Sequence, residues 1–188
     1  MRVLAISGSL RRDSHNSSLV RAAADLLPSG VELEVFEGLK AIPPYDADDD
    51  VQPAHPAVQA LRDALADADA VLVATPEYNA SVPGVLKNAL DWASRPHATN
   101  PLRGVPALVV GASTGMFGAV WAQAEARKVL QTIGARVLDT ELPVAEAPER
   151  FDADGNLTDP DIRELYAEQL ADLAEAVKAR EAGLARAA

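Results

Sequence analysis

Residues 8–19 read GSLRRDSHNSSL, and their types suit the capture of an anion. Ser9, Ser14, Asn16 and Ser17 offer neutral hydrogen-bond donors, and Arg11 or Arg12 offers a charged fork matched to phosphate oxygens. The stretch lies between the apolar run RVLAIS (2–7) and a helical pattern. The unpaired N–H groups and the positive dipole end of that helix therefore belong to the same place. Neither the Walker A pattern nor the G-x-G-x-x-G dinucleotide fingerprint is present. On residue types alone, an N-capping loop with solvated arginines is as good a reading as a phosphate cradle.

Two further segments carry candidate chemistry. Thr75–Gly84, TPEYNASVPG, holds two prolines and is stiff. Asn79 offers donor and acceptor, and Tyr78 offers a ring face, so the loop suits the edge of a planar ligand. A rigid connector in which Tyr78 only packs is the other reading. Residues 111–115, GASTG, spell G-x-S-x-G between a strand and a helix, the context of a nucleophile elbow. A hydrolase triad of that type needs a histidine later in the chain, yet His15, His55 and His97 all precede Ser113. The loop reads better as backbone N–H groups approaching a ligand closely.

The elements that must position these loops alternate regularly. Strands are predicted at 2–7, 31–36, 70–75, 105–112 and near 136–142. Helices are predicted at 16–27, 56–67, 81–95, from the fourth strand to about 133, and from 158 onward into the Ala-rich tail 171–188. Thr158 and Asp161 match a capping box, with Pro160 in the first turn. Such alternation implies parallel β-α-β units and a three-layer α/β fold, with 1–188 as a single domain. In such a sheet ligands lie beyond the carboxyl ends of the strands, so loops 8–16, 75–82 and 111–118 share one rim. Val82, Val85, Leu86, Ala89, Leu90, Trp92 and Ala93 make an unusually wide apolar arc on the third helix, fit for deep burial or for a partner.

Composition narrows the classes. A net charge of −11 argues against nucleic-acid backbones and anionic membrane surfaces. No cysteine is present, which removes disulfides, thiolate nucleophiles and zinc–cysteine sites. The N-terminal apolar run is too short for a signal peptide or a spanning helix, so the cytoplasm is the expected location. Asp46, Asp48, Asp49 and Asp50 read as a solvated acidic loop. Asp152, Asp154 and Asn156 superficially fit an EF-hand, but Gly155 falls at the wrong position, so no metal site is expected.

GSLRRDSHNSSL (8–19), PEYNASVPGVLKNALDWASR (76–95) and the Ser113–Gly118 loop together resemble the NADPH-dependent FMN reductase family. The resemblance implies a flavodoxin-like fold with a five-stranded parallel sheet in the order 2-1-3-4-5 and non-covalently bound FMN. It implies that Ser9, Leu10, Arg11, Ser14, Asn16 and Ser17 hold the FMN phosphate. Pro76, Glu77, Tyr78 and Asn79 would flank the ribityl chain and isoalloxazine, and Ser113 and Gly115 would approach from the third loop. The implied activity is hydride transfer from NADPH, or NADH, through the flavin to a quinone-like or other small-molecule acceptor, with no catalytic side chain. An FMN-binding electron carrier without nicotinamide activity is the alternative. Family members are usually homodimers or homotetramers, and Trp121 stands where they often carry a charged residue.

Overall fold

Apolar runs with no polar alternation are buried on both faces of a parallel sheet. In the computed structural model, which describes residues 1–187, three such runs form the sheet centre: β1 (Arg2–Ser7), β3 (Ala70–Ala74) and β4 (Pro106–Ala112). With β2 (Glu32–Val35) and β5 (Arg136–Val137) the order is β2-β1-β3-β4-β5, every pair parallel. This is the flavodoxin-like order. β2 alternates because it is an edge, paired only with β1.

Successive residues of the central strands serve opposite cores. Leu4, Ile6, Val71 and Val73 pack beneath α2 (Pro56–Ala66), α3 (Gly84–Ala93) and α4 (Val120–Ile133). Val3, Ala5, Leu72 and Leu108 pack beneath α1 (His15–Leu26) and α5 (Pro160–Ala187). The connections from β1 and β3 thus leave for opposite faces, which opens a crevice at the carboxyl ends of these neighbouring strands.

Two sequence expectations are corrected. The strand expected near 136–142 is two short pieces. β5 pairs with the start of β4, and β6 (Pro143–Val144) pairs with its end. Between them the fully buried Gln123 stands in for a strand. Its Oε1 accepts from the Leu142 N–H at 3.1 Å, and its Nε2 donates to the Leu142 and Gly118 carbonyls at 3.2 and 3.0 Å. The cap of α5 is Asp159 rather than Thr158, because the Asp159 carboxylate takes the N–H groups of Asp161 and Ile162, both at 3.1 Å. Thr158 instead donates to the Arg150 carbonyl.

Of the two readings of the wide arc of α3, deep burial holds, because the chain itself covers it. Trp92 is buried, donates its indole N–H to the Pro43 carbonyl at 2.9 Å and meets Tyr45 edge-on at 4.9 Å. In the acidic loop Asp46, Asp48 and Asp49 are exposed as expected, and Asp50 is half-buried. Asp50 accepts from the buried Arg62 at 2.9 Å, and Arg62 also donates to the Trp92 carbonyl. Residues 37–55 are thereby pinned across α2 and α3. The tail expected to be helical is α5 through Ala187, and Ala188 lies outside the described residues.

The third loop is shaped by one close approach. Gly118 has φ +55°, and a Cβ there would lie 2.4 Å from the Pro143 carbonyl carbon. Gly118→Ala is therefore expected to destabilise the protein by about 1–3 kcal/mol, with a Tm fall of about 2–12 °C by calorimetry. An unchanged Tm would show that the loop yields freely.

Candidate functional site

A helix N-terminus needs acceptors for its first N–H groups, and α1 supplies only part of that need internally. Ser14, buried at the N-cap, accepts from Ser17 N–H at 3.3 Å through its hydroxyl and from Ser18 N–H at 2.9 Å through its carbonyl. The N–H groups of His15 and Asn16 have no acceptor within the helix. They open into a cleft of about 260 Å³ at the carboxyl ends of β1, β3 and β4. The cleft is lined from all three loops, by Ser9, Arg11, Ser14 and Asn16, by Pro76, Glu77 and Tyr78, and by Ser113.

The remaining residues named from sequence lie just outside. Leu10 and Ser17 face a neighbouring groove beside β2, where Ser17 Oγ lies 2.9 Å from Ser7 Oγ. Asn79 is at the tip of a hairpin in which Tyr78 and Ser81 exchange backbone hydrogen bonds at 3.0 and 3.2 Å. Asn79 and Ala80 have φ +55° and +60°, the two left-handed residues that a two-residue turn of this kind requires. Gly115 donates its N–H to Ser113 Oγ at 3.0 Å and lies outside the lining.

Two side chains expected to face a ligand are occupied elsewhere. The Asn16 amide accepts from Ala112 N–H and donates to the Ala112 carbonyl, both at 2.9 Å. Only its backbone N–H is left for the cleft. The Glu77 carboxylate accepts from Trp121 and Ala122 N–H at 3.1 and 3.2 Å. It caps α4, whose own N-cap residue, Ala119, has no side chain able to do so. Both roles depend on partners more than 40 residues away, which no local pattern announces.

His15, Ala112 and Thr114 also line the cleft and were not singled out from sequence. The available signal for His15 was its place directly after the capping serine. It packs against Phe151 at 5.3 Å between ring centroids. Burial, and secondarily the nearby Arg11 charge, hold its pKa below 6.5.

Ser113 and His15 both line the cleft, yet no hydrogen bond joins them. Among the described residues Ser113 Oγ bonds only to the Gly115 backbone, and Ser113 lacks the positive φ of a strained elbow.

Residues 1–149 match the family model described as NADPH-dependent FMN reductase. The chain belongs to that family. It is 44% identical to an NAD(P)H-dependent FMN reductase of Pseudomonas aeruginosa over 171 residues, covering 90% of this chain and 91% of the relative. It is 39% identical to a 2-hydroxy-1,4-benzoquinone reductase of a Burkholderia species, covering 87% and 88%. Among solved structures it is similar to FerB, a flavoenzyme NAD(P)H:(acceptor) oxidoreductase of Paracoccus denitrificans. The TM-score there is 0.84 at 34% identity, covering 95% of this chain and 98% of FerB.

The group that this FMN reductase family implies is FMN, and the cleft suits its phosphate. The Ser9 and Ser14 hydroxyls accept from the Arg11 and Ser17 N–H groups, which leaves each O–H free to donate outward. The Arg11 guanidinium is exposed beside them, donating to the Asp13 carbonyl at 2.6 Å. The one carboxylate of the lining, Glu77, is turned onto α4. The phosphate end thus presents donors and positive charge, with no carboxylate left unpartnered to repel an anion.

The folded protein holds His15 neutral more strongly than the unfolded chain does, so below pH 6.5 the unfolded chain binds more protons. His15 therefore subtracts stability as pH falls from 6.5 towards its folded pKa. An NMR titration of the ligand-free protein should give a His15 midpoint below 6.5, and saturating inorganic phosphate should raise it. A midpoint unmoved by phosphate would place the anion elsewhere.

Proposed function

We propose that this chain is an NAD(P)H-dependent FMN oxidoreductase that reduces quinone-like or other small electron acceptors. In this reading FMN is held in the three-loop cleft and either nicotinamide can serve as reductant. The observation that carries the reading is the convergence of Ser9, Arg11 and Ser14, Pro76 to Tyr78, and Ser113 on one crevice beside the free N–H groups of α1. Bound FMN would supply the hydride chemistry between nicotinamide and acceptor.

The chain's own residues bind and orient. The His15 and Asn16 N–H groups, the Ser9 and Ser14 hydroxyls and Arg11 hold the phosphate, with Leu10 and Ser17 backing that loop from the adjoining groove. Pro76, Glu77 and Tyr78 line the path towards the flavin ring, Asn79 sets the turn beside them, and Ser113, held by the Gly115 N–H, lines the cleft from the third loop. No side chain is assigned a proton-transfer role. Backbone N–H groups fixed by the sheet and by α1 stabilise developing negative charge without reorganising.

The rim also carries Tyr78, Met116, Phe117 and Trp121, each about half-exposed or more. Apolar surface concentrated at a site fits a planar acceptor and a second copy of the chain, so we read the enzyme as a homodimer or homotetramer. The acidic charge and the lack of any helix long and apolar enough to cross a membrane, among the described residues, fit a cytoplasmic location.

Arg11→Ala removes a charged hydrogen bond to phosphate worth about 1.5–3 kcal/mol, so FMN affinity should fall about 10- to 150-fold by fluorescence titration. Unchanged affinity would take Arg11 out of the site. FMN-loaded protein should sediment as a dimer or tetramer. In anaerobic stopped flow its flavin absorbance should bleach rapidly with NADPH or NADH and recover on adding a quinone. Bleaching only through a separate reductase would make the protein an electron carrier instead.

A further inference from the structure

We propose that Glu125, outside the cleft, is a positioning residue that holds the Tyr78–Ser81 hairpin in its flavin-binding shape. With Glu77 it forms a reciprocal carboxylate clamp between that hairpin and α4. The proposal rests on the FMN reading above.

An isolated two-residue hairpin is marginal in water, and this one carries Ala80 in a left-handed conformation better suited to glycine. It therefore needs an anchor outside itself. Glu125 supplies one at the residue that closes the turn. Its Oε2 accepts from Ser81 Oγ at 2.5 Å and from Val82 N–H at 3.4 Å. The strand entering the turn is tied to the same helix from the other side, because Glu77 takes the N–H groups of Trp121 and Ala122 at 3.1 and 3.2 Å.

Positions 121, 122 and 125 lie within the first two turns of α4, and 122 and 125 share a face. Both ends of segment 77–82 are thus fastened to one rigid element. Tyr78, the only residue between the two fastened ends that lines the cleft, is set by them. Loop 113–119 runs directly into α4, so the second and third walls of the cleft are joined to the same helix. The clamp acts by holding the loop, through acceptor oxygens, and Glu125 needs no contact with FMN. A glutamine keeps one such oxygen, which separates this role from one that depends on charge.

The test compares Glu125→Ala, Glu125→Gln and Ser81→Ala with the parent enzyme. Glu125→Ala should weaken FMN binding about 10-fold and alter the visible circular dichroism of bound FMN, while Glu125→Gln restores both. Ser81→Ala should weaken binding in the same direction, and the double variant Glu125→Ala/Ser81→Ala should be no worse than Glu125→Ala alone. If Glu125→Ala fails to fold, Ser81→Ala reads the same bond from the loop side. Unchanged FMN affinity and dichroism in Glu125→Ala, or a glutamine variant as defective as the alanine, would overturn the clamp.

Hydrogen exchange of the ligand-free protein separates this from the functional reading. The Ser81 and Val82 amides should exchange at least about 10-fold faster in Glu125→Ala whether or not FMN is the natural ligand. Unaltered protection there overturns the clamp alone, whereas failure of the parent to bind FMN overturns the cofactor assignment alone.

Discussion

The Asn16 side chain closes a two-point hydrogen-bonded pair with the backbone of Ala112, 96 residues away and almost wholly buried. It joins the first turn of α1 to the last residue of β4, and so fixes the distance between the first and third walls of the cleft. Leaving either Ala112 group unpaired in that interior would cost about 1–3 kcal/mol, enough to keep the two elements in register. The second wall hangs on the same frame by different means, through Gly8 N–H on the Ala74 carbonyl and Thr75 N–H on the Val110 carbonyl. The sheet ladder therefore continues one residue past its strands and delivers three loops to one rim.

The electrostatics of that rim run against those of the molecule. Acidic residues outnumber lysine and arginine by 28 to 17, yet the phosphate end of the cleft presents N–H groups, hydroxyls and a guanidinium. The one carboxylate in the lining is satisfied by α4. Polar groups that would otherwise compete with a ligand are consumed in holding the walls. Asn16 and Glu77, both of residue types that bind ligands directly in other settings, serve the frame with their side chains. Part of the site's donor set is backbone N–H groups whose direction the fold sets, which gives preorganisation at little cost in side-chain entropy.

Strand identity in the sheet centre was legible because β1, β3 and β4 are short apolar runs, and runs of that kind are stable only when covered on both faces. The fifth strand was less so. Its single apolar stretch is interrupted by Asp139, Thr140 and Glu141, and only the buried Gln123 amide reveals how the gap is bridged. The arc of α3 was seen correctly as wide, but its cover came from the Pro- and Asp-rich segment 37–55, whose composition suggests solvent rather than packing against Trp92. Thr158 matched a capping box, yet Asp159 took the cap because its carboxylate reaches two N–H groups at once.

By itself the sequence determined what depends on neighbours a few residues away. That covers the strand and helix rhythm and, through the right-handed crossover of parallel strands, the gathering of loops 8–16, 75–82 and 111–118 at one end of the sheet. Only the tertiary structure decided what each polar side chain in those loops does. Asn16 grips Ala112, Glu77 caps α4, Glu125 holds Ser81, and the His15 ring packs against Phe151. The reason is physical. A hydrogen bond is satisfied by whichever group the packed chain brings within about 3 Å, and for Asn16, Glu77 and Glu125 that group lies 44 to 96 positions distant, beyond the reach of any local pattern.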